Sequence, residues 1–236
     1  MGKKKRPTKN DSGSAAYQSL CPASIVNKLL SNKEKLQHIP PTIHHESPTL
    51  VATLPHFFTP AVCDEWIRCV ETTAASDGAA AAAKESPVLL SYMQQRGTRY
   101  MAFRECYRCA WNDTAVAQTV FQLLRASTLL GPLLPAGAVN CNPNIRLYKY
   151  TKGMKFGKHI DESVTVPGMG TTRFTMLIYL SSCRGGATRF EGDLAFVPEQ
   201  GTLLIHAHGN ECLEHEADPV LEGIKYVLRT DLVYES

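Results

Sequence analysis

No stretch of this 236-residue chain approaches the roughly 18 consecutive apolar residues that a membrane-spanning helix needs. The charged start, MGKKKRPTKNDSG, has no apolar core behind it and so does not read as a secretory signal. Arg6 stands where an N-myristoylation motif opening at Gly2 requires Ser or Thr, which removes that anchor as well. The 8 cysteines lack the spacing of a disulfide-stapled secreted scaffold. Without a signal peptide they are expected as reduced thiols, in the cytoplasm, the nucleus or both. Cys106-x-x-Cys109 is a lone pair with no second pair or matched histidines, which argues against a structural zinc site there. No internal repeat is visible.

An excess of positive charge is also missing from most of the chain. The formal net charge is +3, yet Lys3, Lys4, Lys5, Arg6 and Lys9 alone supply more than that. The rest is therefore slightly acidic, and the body shows no electrostatic footprint for nucleic acid. The basic cluster reads either as a nuclear address or weak surface anchor, or as a solvated tail.

What is present is an ordinary globular composition, 44% hydrophobic and 20% charged, in a chain long enough for a stable core. Residues 1–47 are polar, read as a basic tail and linker ending in HIPPTIHHESP; the helix-like SIVNKLLSNKEKLQ within them either docks on the body or floats. Residues 48–236 read as the folded domain, with helical support over 59–135 and a strand-rich core from about 142 to 236. Thr59 and Pro60 form a helix start, followed by an apolar stripe of Val62, Cys63, Trp66, Ile67 and Val70. SDGAAAAAKESP reads as a surface loop or an extension of that helix. DTAVAQTVFQLLRAS is a second amphipathic helix with Val116, Val120, Phe121 and Leu124 on one side. From Asn142 onward, short runs such as NIRLYKYTKG, RFTMLIYLSS, GTLLIHAH and IKYVLRTDLVY are rich in β-branched and aromatic residues and separated by turn residues. Helices followed by many strands point to a mostly β domain, a sandwich or jelly roll with flanking helices.

In FGKHIDESV, His159 and Asp161 are two residues apart, which in extended chain places both on one face. His215 follows further on. Two histidines and one carboxylate on one side of an iron leave positions open, the arrangement of non-haem Fe(II) oxygenases. With 8 histidines in the chain, the bare pattern is weak. The flanking sequence adds to it.

YKYTKGMKFGKHID, TMLIYLSSCRGGATRF and HEADPVLEGIKYVLRTD, in that order, resemble the 2-oxoglutarate- and Fe(II)-dependent dioxygenases, in particular their prolyl 4-hydroxylase-like branch. The resemblance spans about residues 50–236 and is strongest from Asn144. It implies a double-stranded β-helix (jelly-roll) fold, Fe(II), 2-oxoglutarate and O2 as cofactors, and ascorbate as reductant. Position by position, it makes His159, Asp161 and His215 the iron ligands. His206 and His208 are rivals for the third place, but neither has a basic residue at the offset at which Lys225 follows His215. Lys225 would then pair with the distal carboxylate of 2-oxoglutarate, since a buried dianion requires a fixed cation. Arg229 shares the strand face of Lys225 and either helps it or pairs with Asp231. Tyr150 and Tyr179 match positions that place hydroxyls on the cosubstrate, with core aromatics as the alternative, and Thr175 is a weaker candidate.

The resemblance implies hydroxylation coupled to decarboxylation of 2-oxoglutarate to succinate. Asp161 favours hydroxylation, because halogenating members of the family lack this carboxylate. A protein or peptide substrate with proline as target is expected, as in procollagen-proline dioxygenases. The rivals are another side chain or small molecule, oxidative demethylation of nucleic acid, and a catalytically silent metal-binding jelly roll. In RGTRYMAFRECYRCAWND, Arg104 or Arg108 either meets substrate at a lip or is solvated on a strand edge.

Overall fold

The computed structural model describes residues 23–76, 90–99 and 101–235. The N-terminal basic cluster, and the alanine-rich segment beyond Ser76, lie outside them. No described helix is long and apolar enough to cross a membrane.

The core of the molecule is one large, curled antiparallel sheet. Its central path runs Thr42–His45, Val51–Leu54, Leu203–Ala207, Gly170–Tyr179, Lys225–Tyr234, Asn144–Tyr150, Arg104–Asn112, Phe156–His159, His215–Ala217 and Thr188–Phe190. The two-residue period of a strand explains how this sheet holds both a core and a polar site. On Lys225–Tyr234, Tyr226, Leu228 and Leu232 point into the main apolar core, whereas Lys225, Val227 and Arg229 line a cavity on the other face. The neighbouring strands repeat the division: Ile145 and Leu147 against Tyr148 and Tyr150, Met176 and Ile178 against Thr175 and Leu177. Lys225–Tyr234 is buried on both faces along its whole length, as the middle strand of such a sheet must be.

Helices Pro60–Ser76 and Thr114–Ala126 cover the apolar face. The first starts at the cap the sequence places at Thr59, and the second is capped by Asp113. The Val62 N–H donates to Thr59 Oγ1 at 3.3 Å, and the Val116 N–H donates to Asp113 Oδ1 at 3.0 Å. Val62, Cys63, Trp66 and Val70 of the first helix and Val116, Val120 and Leu124 of the second are buried, with Ile67 and Phe121 packed at the margin.

The N-terminal region is more structured than an extended linker. Ala23–Leu30 and Lys33–Leu36 are helices, and Ile25, Leu29 and Leu36 are fully buried in the main core. Between the two expected alternatives, this segment docks. Strands also enter the first half: Ser91–Gln95 and Arg104–Asn112 form a hairpin inside the stretch expected to be helical. Arg104–Asn112 does not alternate cleanly between buried and exposed residues, so period two is faint in its sequence; long-range backbone pairing with Asn144–Tyr150 defines it. Cys106 and Cys109, on that strand, pack into different apolar clusters, and no disulfide occurs among the described residues.

Candidate metal centre and cosubstrate pocket

Two short strands bring the candidate metal-binding side chains together. Phe156–His159 and Thr188–Phe190 flank His215–Ala217, and in the first pairing His215 stands directly opposite His159. The strand ends at His159, so Asp161 follows in irregular chain, where its N–H donates to Cys212 Sγ at 3.2 Å. The three side chains still converge: His159 Nε2 lies 3.8 Å from Asp161 Oδ1, and His215 Nε2 lies 3.8 Å from Asp161 Oδ2.

The donor set fits a divalent metal. His159 Nδ1 and His215 Nδ1 each lie 2.9 Å from a backbone carbonyl, of Gly157 and Leu213 respectively. An N–H at Nδ1 donates to each carbonyl, which leaves the Nε2 lone pairs facing Asp161. Burial, with the neighbouring His215, pushes His159 down to about 3, and burial also lowers His215, so both rings are in the neutral form that binds metal. Burial alone would raise Asp161, but Arg229 and the surrounding histidines outweigh it and hold the carboxyl well below its usual range. The two histidines and the carboxylate are thus in the protonation states that a metal would require.

His206, expected as a polar residue near a strand end, is fully buried beside this cluster. Its Nε2 has no hydrogen-bond partner and lies 3.6 Å from Asp161 Oδ2. With Cys212 and His215 it forms a second grouping of metal-binding atom types. That grouping fits a metal less well: burial raises the Cys212 thiol to about 11, and His215 Nδ1 is committed to Leu213. His208 lies further out and contacts Thr175 and Thr172 rather than the cluster.

A cavity leads to the cluster, lined by Tyr148, Tyr150, Thr188, Lys225 and Arg229 among others. Lys225 is almost completely buried and forms no salt bridge among the described residues. Its ammonium donates to the Gly186 carbonyl at 2.7 Å and sits 5.7 and 5.4 Å from the Tyr150 and Tyr179 ring centroids. Gly186 has φ +64°, and a Cβ there would crowd the Lys225 stem at 3.3 Å. Burial lowers Lys225 to about 8. Such a buried cation is suited to an anionic partner entering from the cavity. Arg229, by contrast, is already engaged, donating to Asp161 Oδ1 at 2.9 Å and to Asp231 Oδ1 at 3.1 Å. Tyr150 lines the cavity, but Tyr179 lies behind Thr188, to whose hydroxyl it donates at 2.8 Å.

At the rim, the Arg104 guanidinium lies 3.6 Å from the Phe156 ring centroid, and Phe156 stacks on His159 at 3.7 Å. Arg104 therefore belongs to the cavity wall, and Arg108 lies outside it, near Tyr148. Sequence reasoning did not single out Phe156, Thr188 or Glu216, all of which line the cavity; Phe156 stacks on His159, three residues on, so strand alternation does not reveal it.

Residues 145–230 match the family model of the 2OG-Fe(II) oxygenase superfamily. This part of the chain is similar to that superfamily. The oxygenases of this group use Fe(II), 2-oxoglutarate and O2, and the His159–Asp161–His215 group is a candidate for the metal. Among solved structures, the chain resembles the viral collagen prolyl hydroxylase of Paramecium Bursaria Chlorella virus-1 in complex with 2OG. The two are 15% identical, with 77% of this chain and 94% of that one covered at a TM-score of 0.53. It also resembles a prolyl-4-hydroxylase of Pseudomonas putida, at 14% identity over 88% of this chain and 100% of that one, with a TM-score of 0.50. At these identities the likeness is one of fold, the jelly roll of the 2OG oxygenases. No curated protein matches the chain in sequence.

Proposed function

We propose that this oxygenase hydroxylates a peptidyl side chain, with proline as the target, at a metal held by His159, Asp161 and His215. The observation that carries the reading is the convergence of these three groups, in metal-binding protonation states, at the inner end of a cavity that also contains the buried ammonium of Lys225. Fe(II) bound there, with 2-oxoglutarate and O2, supplies oxidation of a C–H bond coupled to decarboxylation of the cosubstrate to succinate.

The chain's own residues position and protect that chemistry. His159 and His215 are fixed in tautomer and orientation by Gly157 and Leu213. Lys225 offers a desolvated cation to the distal carboxylate of 2-oxoglutarate, and Tyr150 and the Thr188 hydroxyl oriented by Tyr179 stand beside it. Aromatic and apolar walls, including Tyr148, Phe156 and Val227, exclude water from the reacting region.

Support for a peptide substrate comes from the cavity being open, from the prolyl hydroxylases among the similar folds, and from a body of slightly acidic net charge that offers little to phosphate. Proline-rich segments are pre-extended and enter an open groove with little loss of entropy. The test is to incubate the protein, Fe(II), 2-oxoglutarate and O2 with proline-containing peptide libraries and with methylated oligonucleotides in parallel. Succinate release coupled to addition of oxygen to a peptide is expected; coupled release with the oligonucleotides alone would overturn the proposal.

A further inference from the structure

Behind the Asp161 carboxylate runs a hydrogen-bond chain through Thr175, His208 and Thr172. Thr175 lies on the cavity-side face of Gly170–Tyr179, opposite His206 in the strand pairing. Its hydroxyl donates to Asp161 Oδ2 at 2.7 Å, and an ionised carboxylate can only accept. The hydroxyl has a single proton, so towards His208 Nε2, at 2.7 Å, it must accept. His208 therefore carries a proton on Nε2; burial favours its neutral form, in which the bare Nδ1 accepts from the Thr172 hydroxyl at 3.2 Å. Thr172 in turn receives the Val164 N–H at 2.9 Å. Thr172, Thr175 and His208 are all buried, so no bulk water competes for these links.

We propose that Thr175 and His208 are positioning residues for Asp161: His208 fixes the Thr175 hydroxyl rotor, and Thr175 in turn fixes the carboxylate that binds the metal. The inference rests on the proposed role of Asp161 as a metal ligand. Arg229 holds the other oxygen, Oδ1, at 2.9 Å, so the carboxylate is clamped from both sides while its remaining lone pairs face His159 and His215. Arg229 carries a positive charge that also repels a metal cation, so its removal mixes two opposing effects. Thr175 is neutral, and its removal isolates orientation. It also differs from a cosubstrate contact, because its single proton is already given to Asp161.

The experiment titrates metal-free protein with Mn(II), read by the electron paramagnetic resonance of the free ion, and separately measures the 2-oxoglutarate requirement at saturating Fe(II). Thr175→Val keeps the side-chain shape and removes the hydroxyl. Loss of an outer-shell partner costs about 10–100-fold in metal affinity, and that loss is expected here with the 2-oxoglutarate requirement unchanged. Thr175→Ser restores the hydroxyl and is expected to restore binding. His208→Ala is expected to weaken Mn(II) binding less, and to add little in the Thr175→Val background, because its hydrogen bond towards Asp161 runs through that hydroxyl, whereas the Asp231 carboxylate, 3.8 Å from its Nε2, is beyond hydrogen-bonding distance. Should Val not be tolerated at this buried position, His208→Ala and Thr175→Ser still test the chain from its other links. Mn(II) binding by Thr175→Val equal to wild type would overturn the proposal, as would additive losses in the double variant. A raised 2-oxoglutarate requirement with normal Mn(II) binding would make Thr175 a cosubstrate contact instead. If wild type binds Mn(II) no better than Asp161→Ala, the proposed metal centre fails and this inference fails with it.

Discussion

His159 and His215 stand opposite each other in one antiparallel strand pair, their ring centroids 4.3 Å apart. Ladder geometry, rather than loop conformation, thus sets the spacing of two of the three metal-binding groups, and strands hold such spacing more rigidly than loops do. His159 is also the least buried of the three, and its ring nitrogen binds only a carbonyl two residues away.

His159→Ala is therefore expected to remove Fe(II)-dependent succinate formation while lowering the thermal midpoint by only a few degrees, a cost of about 1 kcal/mol for a surface-proximal side chain. His206→Ala is expected to retain measurable turnover, because His206, unlike His159 and His215, does not line the cavity. Metal binding by calorimetry and thermal unfolding, run on the same samples, separate the two effects. Turnover surviving in His159→Ala and lost in His206→Ala would exchange their roles.

Lys225→Ala removes the buried ammonium that faces the cavity. An anion left there without its partner costs about 3–5 kcal/mol, which corresponds to a rise of roughly a hundredfold or more in the 2-oxoglutarate requirement. Fe(II) affinity should be unchanged. Arg229, already paired with Asp161 and Asp231, is expected to affect metal binding before cosubstrate binding. The 2-oxoglutarate dependence of succinate release in both variants checks this, and a raised requirement in Arg229→Ala alone would transfer the anchor to Arg229.

His159, Asp161, His215 and Lys225 were legible through the resemblance of their flanking motifs to the dioxygenases, and strand periodicity added which residues share a face. That rule placed Lys225 with Arg229, and Thr175 with Tyr179, before any pairing was known. The two helices were legible from Thr59, Pro60 and the two apolar stripes. What depends on strand register was not legible. His206 reaches Asp161 because Leu203–Ala207 pairs with Gly170–Tyr179 so that His206 sits opposite Thr175, and nothing local to GTLLIHAH encodes that partner. Tyr179 is one layer behind the cavity because Thr188, from another strand, stands in front of it. The Arg104–Asn112 strand is defined by its partners more than by its own residues.

The lowered value of Lys225, about 8, makes cosubstrate binding pH-dependent in a defined direction. Below that value the free protein presents an ammonium and the 2-oxoglutarate requirement is flat. Above it the amine loses its proton, and the requirement rises by up to about tenfold per pH unit. A bound carboxylate stabilises the ammonium, so turnover at saturating 2-oxoglutarate should not show the same inflection. Lys225→Arg keeps its charge throughout this range and should flatten the profile. A 2-oxoglutarate requirement that is independent of pH between about 7 and 9.5 would contradict this assignment.

Removal of residues 1–47 tests whether the N-terminal segment is an accessory or part of the fold. Ile25, Leu29 and Leu36 are fully buried in the same core as Trp66, Leu123 and Leu228. Lys28 pairs with Glu65, the Asn32 amide donates to the His56 carbonyl at 2.7 Å, and the Thr128 hydroxyl donates to the Gln37 carbonyl at 2.9 Å. Burial of three large aliphatic side chains contributes about 4–9 kcal/mol, comparable with the whole stability of a domain, about 5–15 kcal/mol. The deletion also strips Thr42–His45 from the edge of Val51–Leu54, exposing a strand edge that invites aggregation. A chain starting at Pro48 is therefore expected to unfold or aggregate, whereas one starting at Cys21 keeps every one of these contacts. Denaturant unfolding of the two truncations measures the difference directly. Equal midpoints would show that the Ile25–Leu36 segment contributes little to the core it fills.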